Sequence, residues 1–193
     1  MKKVIQLCLL IITINTIAQE TNPNHKIWSE TDHLKIDDFQ LKIENNSNRI
    51  LESQFTINYE SQGFDFLKRN LNHRVQNIFI KNASWIDVSK TDDIQYYLDY
   101  HQVQFDLSEV YARELRKSLL FNKKKISRGF SEVKKLHDEI LAELAIERTK
   151  LNNDTNFGND KEKLKVWKKN IQNKLVALYE FRLENTKKIK IKK

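Results

Sequence analysis

Asp92-Asp93-Ile94-Gln95-Tyr96-Tyr97-Leu98-Asp99-Tyr100-His101-Gln102-Val103-Gln104-Phe105-Asp106-Leu107-Ser108-Glu109-Val110-Tyr111-Ala112-Arg113-Glu114-Leu115-Arg116-Lys117-Ser118-Leu119-Leu120-Phe121 reads as one long helix. Thr91 and Asp92 stand where an N-cap is wanted, and acidic side chains suit the positive end of the helix dipole. Ile94, Tyr97, Leu98, Phe105, Val110, Tyr111, Leu115 and Leu119 recur mostly at helical spacing. Neither Gly nor Pro interrupts the run.

Upstream of this helix, residues 27–88 are strand-like. Phe55-Thr56-Ile57-Asn58-Tyr59 alternates apolar and polar positions, as a half-buried strand does. Val75 to Ile80 and Trp85 to Val88 are two more strand candidates, and Trp28 and Leu34 to Phe39 open the region. Asn45 to Asn48 and Ser61 to Gly63 have the composition of turns. Downstream, a polar joint at 122–129 precedes a second helix from about Ser131 to Lys150, with Val133, Leu136, Ile140 and Leu144 on one stripe. Residues 152–159 read as a loop. A third helix runs from about Lys161 to Asn185, with Leu164, Trp167, Ile171, Leu175 and Leu178 as its stripe.

Met1 to Ala18 has the organisation of a secretory signal peptide. Lys2 and Lys3 form the positive end, Val4 to Ile14 the apolar stretch, and Thr16-Ile17-Ala18 the small residues before cleavage. The apolar stretch is shorter than the roughly 20 residues a membrane span needs. Cys8, the only cysteine, lies inside the segment expected to be removed, leaving no thiol or disulfide behind. Three Gly and one Pro argue against an all-β sandwich, and 31% charged against 39% hydrophobic residues argues against a membrane-embedded chain.

Within the long helix, Phe105-Asp106-Leu107-Ser108-Glu109-Val110-Tyr111-Ala112-Arg113-Glu114-Leu115-Arg116 resembles a segment of the secreted bacterial family known as domain of unknown function 922. That family is itself similar to zinc-dependent proteases of the zincin type. In it a His-Glu-Gln-x-His run immediately precedes Phe-Asp-Ile/Leu. Two His four residues apart share a helix face and bind zinc, and the Glu is the general base. Trp28, the Leu34–Phe39 run with Ile36 in place of Trp, and Ser84-Trp85 match further family features in order. Leu151 to Gly158 resembles the family's Tyr-Asp-x-Glu-Thr-x-His-Gly, whose His is the third presumed ligand, and Trp167 fits beyond it. The resemblance covers Trp28 to about Leu178.

What the resemblance implies for chemistry is loss. The three presumed ligand positions carry Tyr100, Gln104 and Phe157, and the base position carries His101. A phenol and a carboxamide are poor zinc ligands and a phenyl ring is none. No catalytic, cofactor-binding or metal-binding residue is therefore assigned. Tyr100 and Phe157 are expected to fill the former site with apolar bulk; the alternative is a repurposed pocket lined by Tyr100, His101 and Gln104. His25 is close to the expected mature N-terminus, and His33, His73 and His137 are isolated in sequence; His33 with Asp37 or Asp38 could touch a cation, but an ordinary polar surface accounts for them better. No Gly-rich phosphate loop and no Gly-x-Ser-x-Gly elbow is found.

The net charge of +8 is concentrated late, in Lys123 to Lys125 and in the tail at 187–193. Such clusters attract anionic partners. With a secretory leader the partner class is envelope lipid or polysaccharide, not nucleic acid, although solvated helix faces and a frayed tail account for the same charges. The expected organisation is a signal peptide at 1–18, one α+β domain at 19–186 (strand-rich over 27–90, helical over 91–186) and a basic tail at 187–193. A small, mostly antiparallel sheet packs on the long helix, and two further long helices follow. The leading expectation is a secreted or periplasmic, catalytically inactive relative of the zinc proteases, without cofactor, that binds or regulates an unknown protein or envelope component. It is not an integral membrane protein once the leader is removed. The alternatives are an active zinc peptidase using other ligands and a basic envelope-binding module.

Overall fold

The computed structural model describes residues 22–43, 49–60, 70–127, 129 and 131–190. The leader expected at 1–18, the turns read at Asn45 to Asn48 and Ser61 to Gly63, and the last three tail residues lie outside the described residues.

The architecture is α+β, a small antiparallel sheet joined to long helices. Strands β1 (His25–Ile27), β4 (Val75–Ile80) and β3 (Phe55–Tyr59) form a three-stranded antiparallel sheet in the order β1-β4-β3. The register places Phe55 opposite Phe79 and Tyr59 opposite Val75. Strands β2 (Leu51–Glu52) and β5 (Trp85–Ile86) form a separate antiparallel pair. Helix α1 (Ile94–Phe121) crosses the three-stranded sheet, and α3 (Ser131–Asp154) and α4 (Lys161–Ala177) both pack against it. A single helical turn, α2 (Lys123–Ile126), lies within the polar joint. No helix among the described residues is long and apolar enough to cross a membrane.

Helix α1 is the centre because it is enclosed along most of its length. Leu107, Ala112, Leu115 and Leu119 are fully buried, and burial of each Leu side chain contributes about 1.5–3 kcal/mol. Phe105 is the hinge between helix and sheet, with ring centroids 5.8 Å from Phe55 and 6.0 Å from Phe79. Asn77, buried in the middle of β4, donates to Phe105 O at 3.1 Å and accepts from Ser108 Oγ at 2.9 Å. That pair satisfies an amide which would otherwise be costly at this depth.

Enclosure also buries charge. Glu109, Arg113 and Arg116 are at most 3% exposed. Glu109 Oε1 accepts from Arg113 Nε at 3.1 Å and from Arg116 Nη1 at 2.7 Å. Arg116 donates further to Val75 O and Phe181 O, and Arg113 to Leu175 O. One carboxylate thus anchors two guanidiniums whose remaining donors join β4 and the C-terminal segment to α1.

Several boundaries differ from the sequence reading, each for a local reason. Leu34 to Phe39 is not a strand: Ile36–Asp38 forms a 3-10 turn. The Asp38 carboxylate accepts from Lys35 N–H at 3.0 Å and from the buried Lys26 Nζ at 2.8 Å, which curls the backbone. Helix α1 begins at Ile94, because Thr91 Oγ1 accepts from Asp93 N–H and forms a turn before the helix. Helix α3 continues to Asp154, so Asn152 and Asn153 are helical.

The third predicted helix stops at Ala177 rather than Asn185 and gives way to a 3-10 turn, Tyr179–Phe181. Side chains from the sheet side claim the carbonyls that a longer helix would use. Asn72 Nδ2 donates to Glu180 O at 2.9 Å and Arg182 O at 3.0 Å, and Asn70 Nδ2 donates to Asn185 O and Lys187 O. Ile189 is 7% exposed, so the chain is held against the body beyond Lys187. Asn72→Ala is expected to cost about 0.5–1.5 kcal/mol, the net worth of the lost hydrogen bonding, because Asn185 Nδ2 still reaches Glu180 O and Asn185 N–H still reaches Arg182 O. Amide exchange around 180–187, read by mass spectrometry, should accelerate before that of α1; uniform acceleration across both would contradict this placement.

Candidate functional site

Tyr100, His101 and Gln104 lie on the second and third turns of α1, and Tyr100 faces the end of α3. Tyr100 is 6% exposed. Its hydroxyl donates to Asn152 Oδ1 at 2.6 Å. Its ring lies directly under Gly158, where a Cβ would sit 2.7 Å from Tyr100 Cγ. Burial pushes the phenol up to about 12, so it stays protonated and keeps its proton on Asn152.

The turn over Tyr100 is built from local bonds. Thr155 Oγ1 donates to Leu151 O and accepts from Gly158 N–H at 3.0 Å, while Phe157 N–H reaches Asn152 O at 2.7 Å. Asn156, Phe157 and Gly158 all have positive φ, at 48°, 53° and 88°. This left-handed run is strained for the first two residues and suits the glycine. It turns Phe157 outward, where the side chain is 64% exposed. The expectation that Phe157 fills the space with Tyr100 is therefore not met; Tyr100 lies beneath the turn and Phe157 does not.

His101 faces the other way, towards β2. Its Nδ1 lies 2.7 Å from Ser53 Oγ, and its ring meets that of Tyr100 edge-on at 5.2 Å. Burial, with a smaller contribution from the nearby Arg148 guanidinium, depresses the imidazole to about 3. Arg148 itself, from α3, stacks over the Phe55 ring at 4.3 Å. A Ser and a His in hydrogen-bond contact are the beginnings of a nucleophile and base. Here Ser53 is 5% exposed, and an imidazole with so low a pKa is a weak proton acceptor at neutral pH.

The same shift makes a stability prediction. A His titrating near 6.5 when unfolded and near 3 when folded lets the unfolded state bind the extra proton between those values. Stability is full above about pH 6.5 and falls as the pH drops towards 3, with a slope from this group of up to about 1.4 kcal/mol per pH unit. Urea titrations of the wild type and His101→Asn across pH 7 to 4 check this: the variant should show the shallower decline, and parallel curves would contradict it.

Gln104, one turn further along α1, is also buried, at 5% exposed. The structure thus brings Tyr100 beneath the turn that ends at Gly158, but leaves Phe157 outside. Ser53, Arg148 and Asn152 complete the surroundings and were not singled out from sequence. Asn152 sits inside the matched Leu151–Gly158 run, whereas nothing near Ser53 marks it.

The other residues that carry the resemblance are latches. Trp28 Nε1 donates to Asp106 Oδ1 at 2.8 Å, and Gln102 Nε2 donates to the same oxygen at 2.7 Å. Gln102 Oε1 accepts from Leu34 N–H at 2.8 Å. Trp28, Leu34 and the Phe-Asp pair therefore form one unit that fixes the N-terminal segment on α1. Burial raises the Asp106 carboxyl, against the lowering effect of its Trp28 and Gln102 donors. Phe39 stacks edge-on against Phe79 at 5.1 Å, Ser84 Oγ bridges Ile80 O and Gln54 N–H, and Trp167 Nε1 reaches Asp154 Oδ2 at 3.3 Å.

Among the described residues, no three His, Cys, Asp or Glu side chains are grouped so as to hold a metal ion. Comparison with family models, with curated proteins and with solved structures finds no match for this chain.

Proposed function

We propose that this chain is a non-catalytic, secreted or periplasmic relative of the zincin-type family it resembles, acting by binding or regulation. The observation that carries this reading is Tyr100. At the first presumed ligand position stands a buried phenol, hydrogen-bonded to Asn152 and covered by Gly158. The neighbouring base position is a His engaged with Ser53. The latches described above, from Trp28 to Asp106 and from Thr155 to Gly158, support a scaffold kept while the ligand set was exchanged.

A hydrolysis assay tests the proposal. The purified protein, incubated with fluorescently labelled casein with and without added zinc, should release no more peptide than buffer does. Release that zinc stimulates and a chelator abolishes would overturn the reading and favour an active peptidase with ligands elsewhere.

A further inference from the structure

Helices α3 and α4 both pack against α1, and between them opens a cleft of about 430 Å³. That size falls within the roughly 300–1,000 Å³ of small-molecule sites. Every residue that lines it belongs to the described run 131–190. Ile171, 2% exposed, is the floor, and Trp167 is a half-buried wall. The indole is fixed in place by its Nε1, which donates to Asp154 Oδ2 at 3.3 Å. Lys150 Nζ stands 5.8 Å from the ring centroid, near the limit of about 6 Å for a cation–π contact, so this exposed side chain holds the ring face only loosely. Towards the other end, Lys174 Nζ meets Glu147 Oε1 at 3.5 Å. The charges of these two carboxylates and two ammoniums cancel. The exposed surface of α4 carries Lys161, Lys163, Lys165, Lys168 and Lys169 elsewhere, yet Val166, Asn170 and Asn173 give the cleft an uncharged, exposed rim.

We propose that this cleft binds a neutral carbohydrate, with a sugar ring lying on the Trp167 indole. A pyranose has a face of C–H groups and an edge of hydroxyls, each hydroxyl both donor and acceptor. The indole suits the face, being broad, apolar and already oriented. The edge meets carboxylates that only accept, ammoniums that only donate, and the Asn170 and Asn173 carboxamides that do both. The same wall selects against other occupants. A phosphate or sulfate needs cations without carboxylates beside them, whereas Glu147 neutralises Lys174 and Asp154 lies on the indole edge. A lipid chain would cover these polar groups without giving them partners. The inference goes beyond the zincin reading and stands whether or not the protein hydrolyses peptides.

The probes are neutral tetrasaccharides of hexose and of N-acetylhexosamine, titrated into the purified protein and read by its intrinsic fluorescence. Trp28 and Trp85 are buried, so of the three tryptophans Trp167 is the one a bound sugar reaches. Binding should shift the emission to the blue and shield it from acrylamide quenching. It should persist as salt is raised from about 0.1 M to about 0.5 M, because no net charge holds the ligand. Asn170→Ala and Asn173→Ala should each weaken binding about three- to tenfold, the loss of a hydrogen bond or two, with unchanged thermal melting. Gln172→Ala, exposed on α4 but outside the cleft, should bind as the wild type does. No response to either tetrasaccharide overturns the proposal. So does binding that the higher salt abolishes, or that both asparagine variants leave unchanged.

Discussion

Replacing Glu109 with Ala is expected to destabilise the fold by about 3–5 kcal/mol, the range for breaking a buried ion pair by removing one partner. The carboxylate is 2% exposed and is the acceptor for both Arg113 and Arg116, themselves 3% and 0% exposed. Its loss strands two guanidiniums in a region that water does not reach. Their other bonds run to the carbonyls of Val75, Leu175 and Phe181, which carry only partial negative charge. Total stabilities of domains are about 5–15 kcal/mol, so this variant should approach the unfolding threshold. Glu109→Gln keeps an acceptor while removing the charge and should fall between wild type and Glu109→Ala. Urea denaturation measures all three; a loss under about 1 kcal/mol for Glu109→Ala would mean the triad is far better solvated than its burial implies.

Gly158→Ala is the second large effect, expected to cost about 3 kcal/mol from two sources. The backbone there has φ of 88°, which a residue with a Cβ adopts only under strain. The new Cβ would lie 2.7 Å from Tyr100 Cγ and 2.8 Å from Cδ2, closer than van der Waals contact permits. Tyr100 cannot simply retreat, since its hydroxyl is fixed to Asn152 and its ring is buried. Combining Gly158→Ala with Tyr100→Ala should therefore cost less than the two single changes added together, because the truncated side chain relieves the clash. Strict additivity in a denaturation cycle would show that the glycine is required for its backbone conformation alone.

These two sites also mark what the sequence made legible. Helix α1 could be read from its apolar spacing and β3 from alternation, because each signal is local. The hydrogen bond from Trp28 to Asp106 joins two residues 78 positions apart and has no local signal in the sequence. The Glu109–Arg113–Arg116 cluster was not legible as a buried network. Three charged residues three and four apart on a helix resemble a solvated face, and only the segments packed around α1 remove the water. The end of α4 was missed for a related reason: Leu178 and Phe181 continue the apolar pattern, but Asn70 and Asn72, over 100 positions earlier, capture the carbonyls. Phe157 was misplaced because positive φ at two successive non-glycine residues cannot be read from composition.

Zinc content tests the central claim most directly. The protein is incubated with excess zinc, desalted, and its bound metal counted by elemental mass spectrometry. With Tyr100 sealed between Asn152 and Gly158 and His101 held by Ser53, the predicted result is near-zero zinc per chain. About one tightly held zinc per chain, the stoichiometry of an intact catalytic site, would contradict the account.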